Sequence, residues 1–314
     1  MFRLILNRLG QGIITLFVLI TLTFFLVRAM PGSPYTDEKA IPAHVLARMK
    51  AYTGLDQPVP VQYFRYLKNL VVNQDLGDLI KRDGVKVSEI IGESFPVSLG
   101  LGVMSIGIAL IIGIPAGVIA AVRKNTVIDF SCLAAAMVGI CLPSFVIGPL
   151  LAVSAGLGLK SLNVAGWSSP VDWILPAVTL GLINAAYLAR LARGGMLDVL
   201  SQDYIRTARA KGVSESRIVI RHALRGGLIP AVAFVGPAFA GMISGSFVIE
   251  TIFQVPGMGQ HFVNAATDRE FFLIQGLVLF YGFLIVGDVG SRAARRDVHR
   301  YELGGTRIMV VGLR

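Results

Sequence analysis

Apolar stretches of membrane-crossing length recur along this chain, and they leave few folds open to it. Leu9–Met30 holds 22 residues, about 33 Å as an α-helix against a hydrocarbon core of roughly 30 Å. Val97–Val122, Phe130–Leu159, Asp172–Ala189, Leu228–Ile249 and Phe271–Val286 read in the same way. In lipid the chain itself must satisfy every backbone N–H and C=O, and apolar runs of this length do so as helices. The expected fold class is all-α: a polytopic membrane protein of about six transmembrane helices. Hydrophobic residues are 54% of the 314 and charged ones only 15%, which excludes an ordinary soluble domain.

Taken in order, Arg3 and Arg8 precede the first block, and Arg28-Ala29-Met30-Pro31 offers no signal-peptidase site. Residues 1–30 therefore read as a retained first helix, amino end cytoplasmic, with Arg28 snorkelling at the far interface. Residues 31–96 balance acids and bases and hold no long apolar run. They read as a large external segment, a subdomain with amphipathic helices near Ala43–Tyr52 and Val61–Val72, the latter carrying Phe64, Leu67 and Val71 on one face. The membrane core is 97–286. Pro143 and Pro149 should kink its second block, because proline removes a donor and clashes with the preceding turn. Cys132 and Cys141 lie about 13 Å apart along one helix, too far to bridge, and read as small buried hydrophobes. The last block has 16 residues, about 24 Å, short for a membrane.

Between the fourth and fifth blocks lies the longest polar stretch of the core, 190–227. From Arg190 to Arg225 it carries eight Lys or Arg against Asp198, Asp203 and Glu215, the bias of a cytoplasmic loop. Its pattern is helical: Ile205, Ala208 and Gly212 share one face, Arg206 and Arg209 another. Gly212 breaks the run and Ser214 can start a new turn. Two readings stand here, an ordered docking helix and a plain solvated basic loop.

Chemistry of the catalytic kind is missing. No Gly-x-x-x-x-Gly-Lys-[Ser/Thr] occurs, so any nucleotide must be handled by another protein. His44, His222, His261 and His299 are scattered, with no metal-ligand spacing. The expectation is no enzyme, no catalytic residue, no metal and no cofactor of its own. The net charge of +10 gathers beside apolar blocks, which argues for membrane topology and against nucleic acid. An ion-gradient-driven secondary transporter or channel is the alternative. It would want ionisable groups at mid-membrane, and the second, third and fifth blocks carry none.

Several motifs go further. Asp203-Tyr204-Ile205-Arg206-Thr207-Ala208-Arg209-Ala210-Lys211-Gly212, then His222-Ala223-Leu224-Arg225 and Pro230, resemble the coupling loop of ABC importer permease subunits of the dipeptide, oligopeptide and nickel branch. Pro31-Gly32-Ser33-Pro34, Gly54-Leu55-Asp56-Gln57-Pro58, Leu142-Pro143-Ser144-Phe145 and Pro256-Gly257-Met258-Gly259 resemble further motifs of that family. Other importer branches carry Glu-Ala-Ala where Arg206-Thr207-Ala208 stands, and the difference is the peptide branch's own variant.

What the resemblance implies is an inner-membrane permease that moves peptides, with nickel or glutathione as alternative cargo. Its partners would be a second homologous permease subunit, two ATP-binding subunits, an extracytoplasmic solute-binding protein and membrane lipid. Tyr204, Arg206, Thr207, Ala208, Arg209 and Gly212 would form the ATPase-coupling contact. Gly241, Gly245 and Glu250 are candidates for the translocation path or an outer gate. The glycines equally suit close helix packing, and Glu250 equally suits a paired or solvated carboxylate. Residues 287–314 depart from the family's ending and read as an aberrant or diverged basic tail, with both termini expected in the cytoplasm.

Overall fold

The computed structural model describes residues 2–31, 35, 47, 49, 51, 53–82, 84–158 and 164–287. The basic tail beyond Gly287 and most of the amphipathic segment near 43–52 lie outside them. Among the described residues the chain is all-α, with only an isolated antiparallel bridge, Asp78 to Lys86, besides its helices. Among the described residues three helices are long and apolar enough to cross a membrane, or up to five spans if each of two bent pairs is one; Phe271–Gly287 is a shorter apolar helix.

In chain order the helices are α1 (Phe2–Ala29), α2 (Val59–Val72), α3 (Val87–Val122), α4 (Val127–Cys141), α5 (Ser144–Gly158) and α6 (Ile174–Leu200). There follow α7 (Asp203–Ala210), α8 (Glu215–Gly227, with a π-helical turn at Ile218–Ala223), α9 (Ile229–Gly245), α10 (Phe247–Ile252), α11 (Met258–Asp268) and α12 (Phe271–Gly287). Two compact units result, Met1–Glu93 with His261–Arg314, and Ser94–Gln260.

Helix boundaries correct the sequence reading in four places. The second apolar block belongs to a helix that begins at Val87 and runs through Pro96. The expected kinks at Pro143 and Pro149 are unequal: α4 and α5 meet at 108° across Leu142-Pro143, while Pro149 sits inside α5. Leu142 is extended (φ −80°, ψ 122°), the conformation that a following proline imposes. Helix α6 continues past Arg190 and Arg193 to Leu200, so both arginines are helical residues. The expected fifth span, Leu228–Ile249, divides at Ser246 into α9 and most of α10, and α9 follows α8 with a bend of 51°. Cys141, expected to be buried, is exposed within this chain.

In the Ser94–Gln260 unit, α3 and α6 approach backbone to backbone. A Cβ on Gly113 or Gly117 would run into the carbonyls of Ala185 or Ala189, and one on Gly181 would meet Ile108 and Ser105. Small residues four apart are what such an approach requires in lipid. Leu188 and Ala192 are fully buried beside this seam.

In the Met1–Glu93, His261–Arg314 unit, α12 lies against α1, where a Cβ on Gly282 would strike Leu19. Glu270, just ahead of α12, accepts hydrogen bonds from the Ile80 and Lys81 N–H groups, both 2.7 Å. Helix α2 packs on the C-terminal turns of α1. Phe24 of α1 is fully buried between Tyr63 and Tyr66, with the Arg28 guanidinium 3.7 Å from its ring centroid. Burial pushes the Tyr66 phenol up to about 12, with Arg28 opposing the shift. The sequence singles out Phe64, Leu67 and Val71 as the apolar face of α2. That face is not the packed one, since Phe64 and Val71 are 69% and 74% exposed.

Candidate functional site

Helix α7 is short, and its placement rests on the side chain of Ile205. That residue is fully buried with Ala121, Met196, Ile218 and Ala223, and Ala208 packs partly buried against the same cluster. The helix ends in a Schellman turn. Gly212 donates to the Arg209 carbonyl (2.9 Å) and Val213 to the Ala208 carbonyl (3.2 Å), with Gly212 left-handed at φ +74°. This arrangement satisfies the last carbonyls of α7 and fits glycine at that position. Val213 joins Ala208 on the buried cluster, the hydrophobic contact that accompanies the motif.

The remaining face of α7 points away from the chain. Tyr204, Arg206, Thr207, Arg209 and Gly212 are exposed. Arg206 meets Asp203 at 3.3 Å. Arg209 reaches across the turn to Glu215, with its Nε 2.7 Å from Oε1, and that hydrogen bond holds the guanidinium above its ordinary value. Exposed pairs of this kind contribute about 0–1 kcal/mol, so they are easily exchanged for another protein's carboxylates. Of the six coupling residues expected from sequence, five therefore share an accessible surface and Ala208 is half-buried beneath it.

The end of α6 that leads into α7 is anchored separately. Arg193 makes a two-pronged ion pair with Asp129 of α4, Nε to Oδ1 at 2.6 Å and Nη2 to Oδ2 at 2.8 Å. Asp129 also accepts from the Asn125 N–H at 2.9 Å and is 1% exposed. In the sequence Arg193 looks like one more loop cation, and nothing local connects it to Asp129.

On the other side of α9 the polar residues turn inward. Glu250 is fully buried. Its carboxylate accepts from the Ser98 hydroxyl (2.9 Å), the Ser246 hydroxyl (2.5 Å) and the Gly259 N–H (2.7 Å). Ser98 in turn accepts from the Met258 N–H at 2.9 Å. One carboxylate thus joins α3, the α9–α10 junction and the start of α11. The Pro256-Gly257-Met258-Gly259 motif gains a physical reason. A Cβ on Gly257 would collide with the Glu250 carboxylate and with the Ser98 hydroxyl, and one on Gly259 with the Phe247 backbone.

Gly241 behaves differently from Glu250. It is exposed, and a Cβ there would meet nothing within 4 Å, so it takes no part in packing among the described residues. Gly245 closes α9. Sequence reasoning did not find Ser98, Ser246, Asp129 or Glu270. The glycines at 257 and 259 next to an acid at 250 are the one local signal that pointed at the buried carboxylate.

The arrangement is that of a membrane-embedded protein: helices of membrane-crossing length and a short ordered helix with one face exposed. The comparisons with known proteins agree. Residues 113–287 match the family model described as binding-protein-dependent transport system inner membrane component, and residues 1–101 match that of its N-terminal part. The chain is 45% identical to the oligopeptide transport system permease protein OppB of Salmonella typhimurium, over 90% of this chain and 93% of the relative. It is 40% identical to the dipeptide transport system permease protein DppB of Bacillus subtilis, over 91% and 92%. Among solved structures, the MetNI methionine ABC transporter in an inward-facing conformation shares the fold at a TM-score of 0.52 and 18% identity, covering 67% of this chain and 96% of that one.

The chain belongs to the family of binding-protein-dependent transport system inner membrane components. It is an inner-membrane permease subunit that works in a complex with other subunits.

Proposed function

We propose that this chain is the permease subunit of an ATP-driven importer for peptides, and that α7 with the Gly212 turn is where hydrolysis is converted to movement. The observation that carries the reading is the geometry of α7. Ile205 fixes it to the chain's own core, while Tyr204, Arg206, Thr207 and Arg209 remain exposed. A helix held by its buried side moves as a rigid body when its exposed side is pushed. The partners are two ATP-binding subunits, one of them seated on α7, a second homologous permease subunit across the membrane domain, and an extracytoplasmic solute-binding protein. ATP is bound by those partners. Both termini and α7 then lie in the cytoplasm. Peptide as cargo, ahead of nickel or glutathione, is supported by the names of the relatives, one an oligopeptide and the other a dipeptide permease.

Gly241 and Gly245 line the passage in this reading, and Glu250 sets the shape of its outer end without touching cargo. The experiment is a reconstituted complex carrying Gly212→Trp. A left-handed turn disfavours any bulky L-residue. The expected result is ATP hydrolysis that continues while peptide uptake falls at least about tenfold, a loss of roughly 1.4 kcal/mol of coupling. Uptake that stays in proportion to hydrolysis refutes the assignment.

A further inference from the structure

We infer that α2 is an interfacial helix whose outward face is seated among lipid headgroups and upper acyl chains, in the leaflet at the C-terminal end of α1. Three observations support it, all within the Met1–Glu93, His261–Arg314 unit.

The first is depth. The Tyr63 hydroxyl of α2 is 2.7 Å from the Thr21 hydroxyl of α1, and Tyr63 lies against both Phe24 and Phe25. Thr21 lies about 12 Å of helix rise before the end of α1. Higher up, Arg28 donates to Gln62 at 2.8 Å. Helix α2 therefore stands beside the last two turns of a membrane span, where headgroups meet hydrocarbon.

The second is continuity. The apolar span in α1 is only 17% buried within the chain, and Leu22, Phe25 and Leu26 are exposed on it. From Phe25 the apolar surface passes to Tyr63, 5.5 Å between ring centroids, and on to Phe64 at 5.7 Å. Val61, Phe64, Val71 and Val72 extend it along α2, all exposed. Surface that faces lipid on α1 thus runs unbroken onto α2.

The third is charge. Helix α2 contains Arg65 and Lys68 and no acid; Lys68 is exposed on this same outward half, while the Arg65 guanidinium lies against Gly54. Basic side chains interleaved with large apolar ones suit an interface in which aliphatic stems lie along acyl chains and cationic heads reach phosphate. A protein surface would instead have to offer matching carboxylates as well as an apolar groove.

The test uses the complete transporter in lipid bilayers, with Cys132 and Cys141 replaced by alanine and one spin label introduced per variant at Phe64→Cys, Val71→Cys or Asp56→Cys. Asp56 is an exposed turn residue and serves as the aqueous reference. The expected result is that labels at 64 and 71 collide several-fold more often with oxygen, which concentrates in lipid, than with a water-soluble nickel chelate. The label at 56 should show the reverse. Equal exposure to the chelate at 64, 71 and 56 would place the face in water. Shielding of 64 and 71 from both reagents would place it against a protein. Either outcome overturns the inference.

Discussion

Gly212 and Gly257 both sit in turns beside short helices, yet their surroundings are opposite. A Cβ at Gly212 would meet nothing within 4 Å, whereas one at Gly257 would collide with the Glu250 carboxylate and the Ser98 hydroxyl. The first glycine is required by its dihedral angle, φ +74°, and the second by the atoms around it. Charge follows the same division. Around Gly212, Arg206 and Arg209 pair with exposed acids; around Gly257, Glu250 is enclosed and takes only neutral donors. One turn is built so that another molecule can reach it, the other so that none can.

The largest expected effect lies on the buried side. Glu250→Ala removes the acceptor of three enclosed donors, and unsatisfied buried donors cost about 1–3 kcal/mol each. The protein in detergent should unfold about 5–10 °C lower, and Glu250→Gln, which keeps one acceptor oxygen, should fall less. An unchanged midpoint in Glu250→Ala would remove the contrast between the turns.

Next comes Arg193→Ala, which strands Asp129 at 1% exposure. The loss should be smaller than at Glu250, because Asp129 lies close to the surface and water can reach its carboxylate once Arg193 is gone. Arg193→Lys should recover only part of the loss, since a single ammonium cannot reproduce both prongs. Resistance to proteolysis at the α3–α4 connection would measure it.

The two glycines sharpen the comparison directly. Gly257→Ala should cost more stability than Gly212→Ala, because strain alone at a left-handed residue is about 1–2 kcal/mol. Equal losses in thermal unfolding would mean that the enclosure at Gly257 is unimportant. The smallest effect on stability belongs to Arg209→Ala, below about 1 kcal/mol. Its signature should instead appear in uptake per ATP hydrolysed, where a normal ratio would show that Arg209 is not part of the coupling contact.

Much of this molecule was legible in its residues. The all-α class, the long apolar helices and the helix ending at Gly212 depend on local hydrophobicity and local dihedral preference, which a chain carries wherever it folds; how many of the six apolar blocks cross a membrane does not. The boundaries were less legible. Arg190 and Arg193 look like loop cations, yet α6 runs through them to Leu200, since an ion pair with Asp129 makes one of them a packing residue. The amphipathic face of α2 was visible too, but not which side of the helix would be covered. Periodicity identifies an apolar stripe, and in a membrane protein that stripe is at home in lipid as well as in a core.

What only the tertiary structure decided is which residues meet across long separations. Ser98 and Glu250 lie 152 positions apart, and Ile80 and Glu270 lie 190 apart. The glycines that let helices touch are Gly113, Gly117 and Gly181, while Gly241, which has the same appearance in the sequence, faces open space. Hydrophobicity and backbone preference are properties of a residue and its neighbours in the chain. Close approach and hydrogen-bond satisfaction are properties of pairs, and they exist only once the helices have packed.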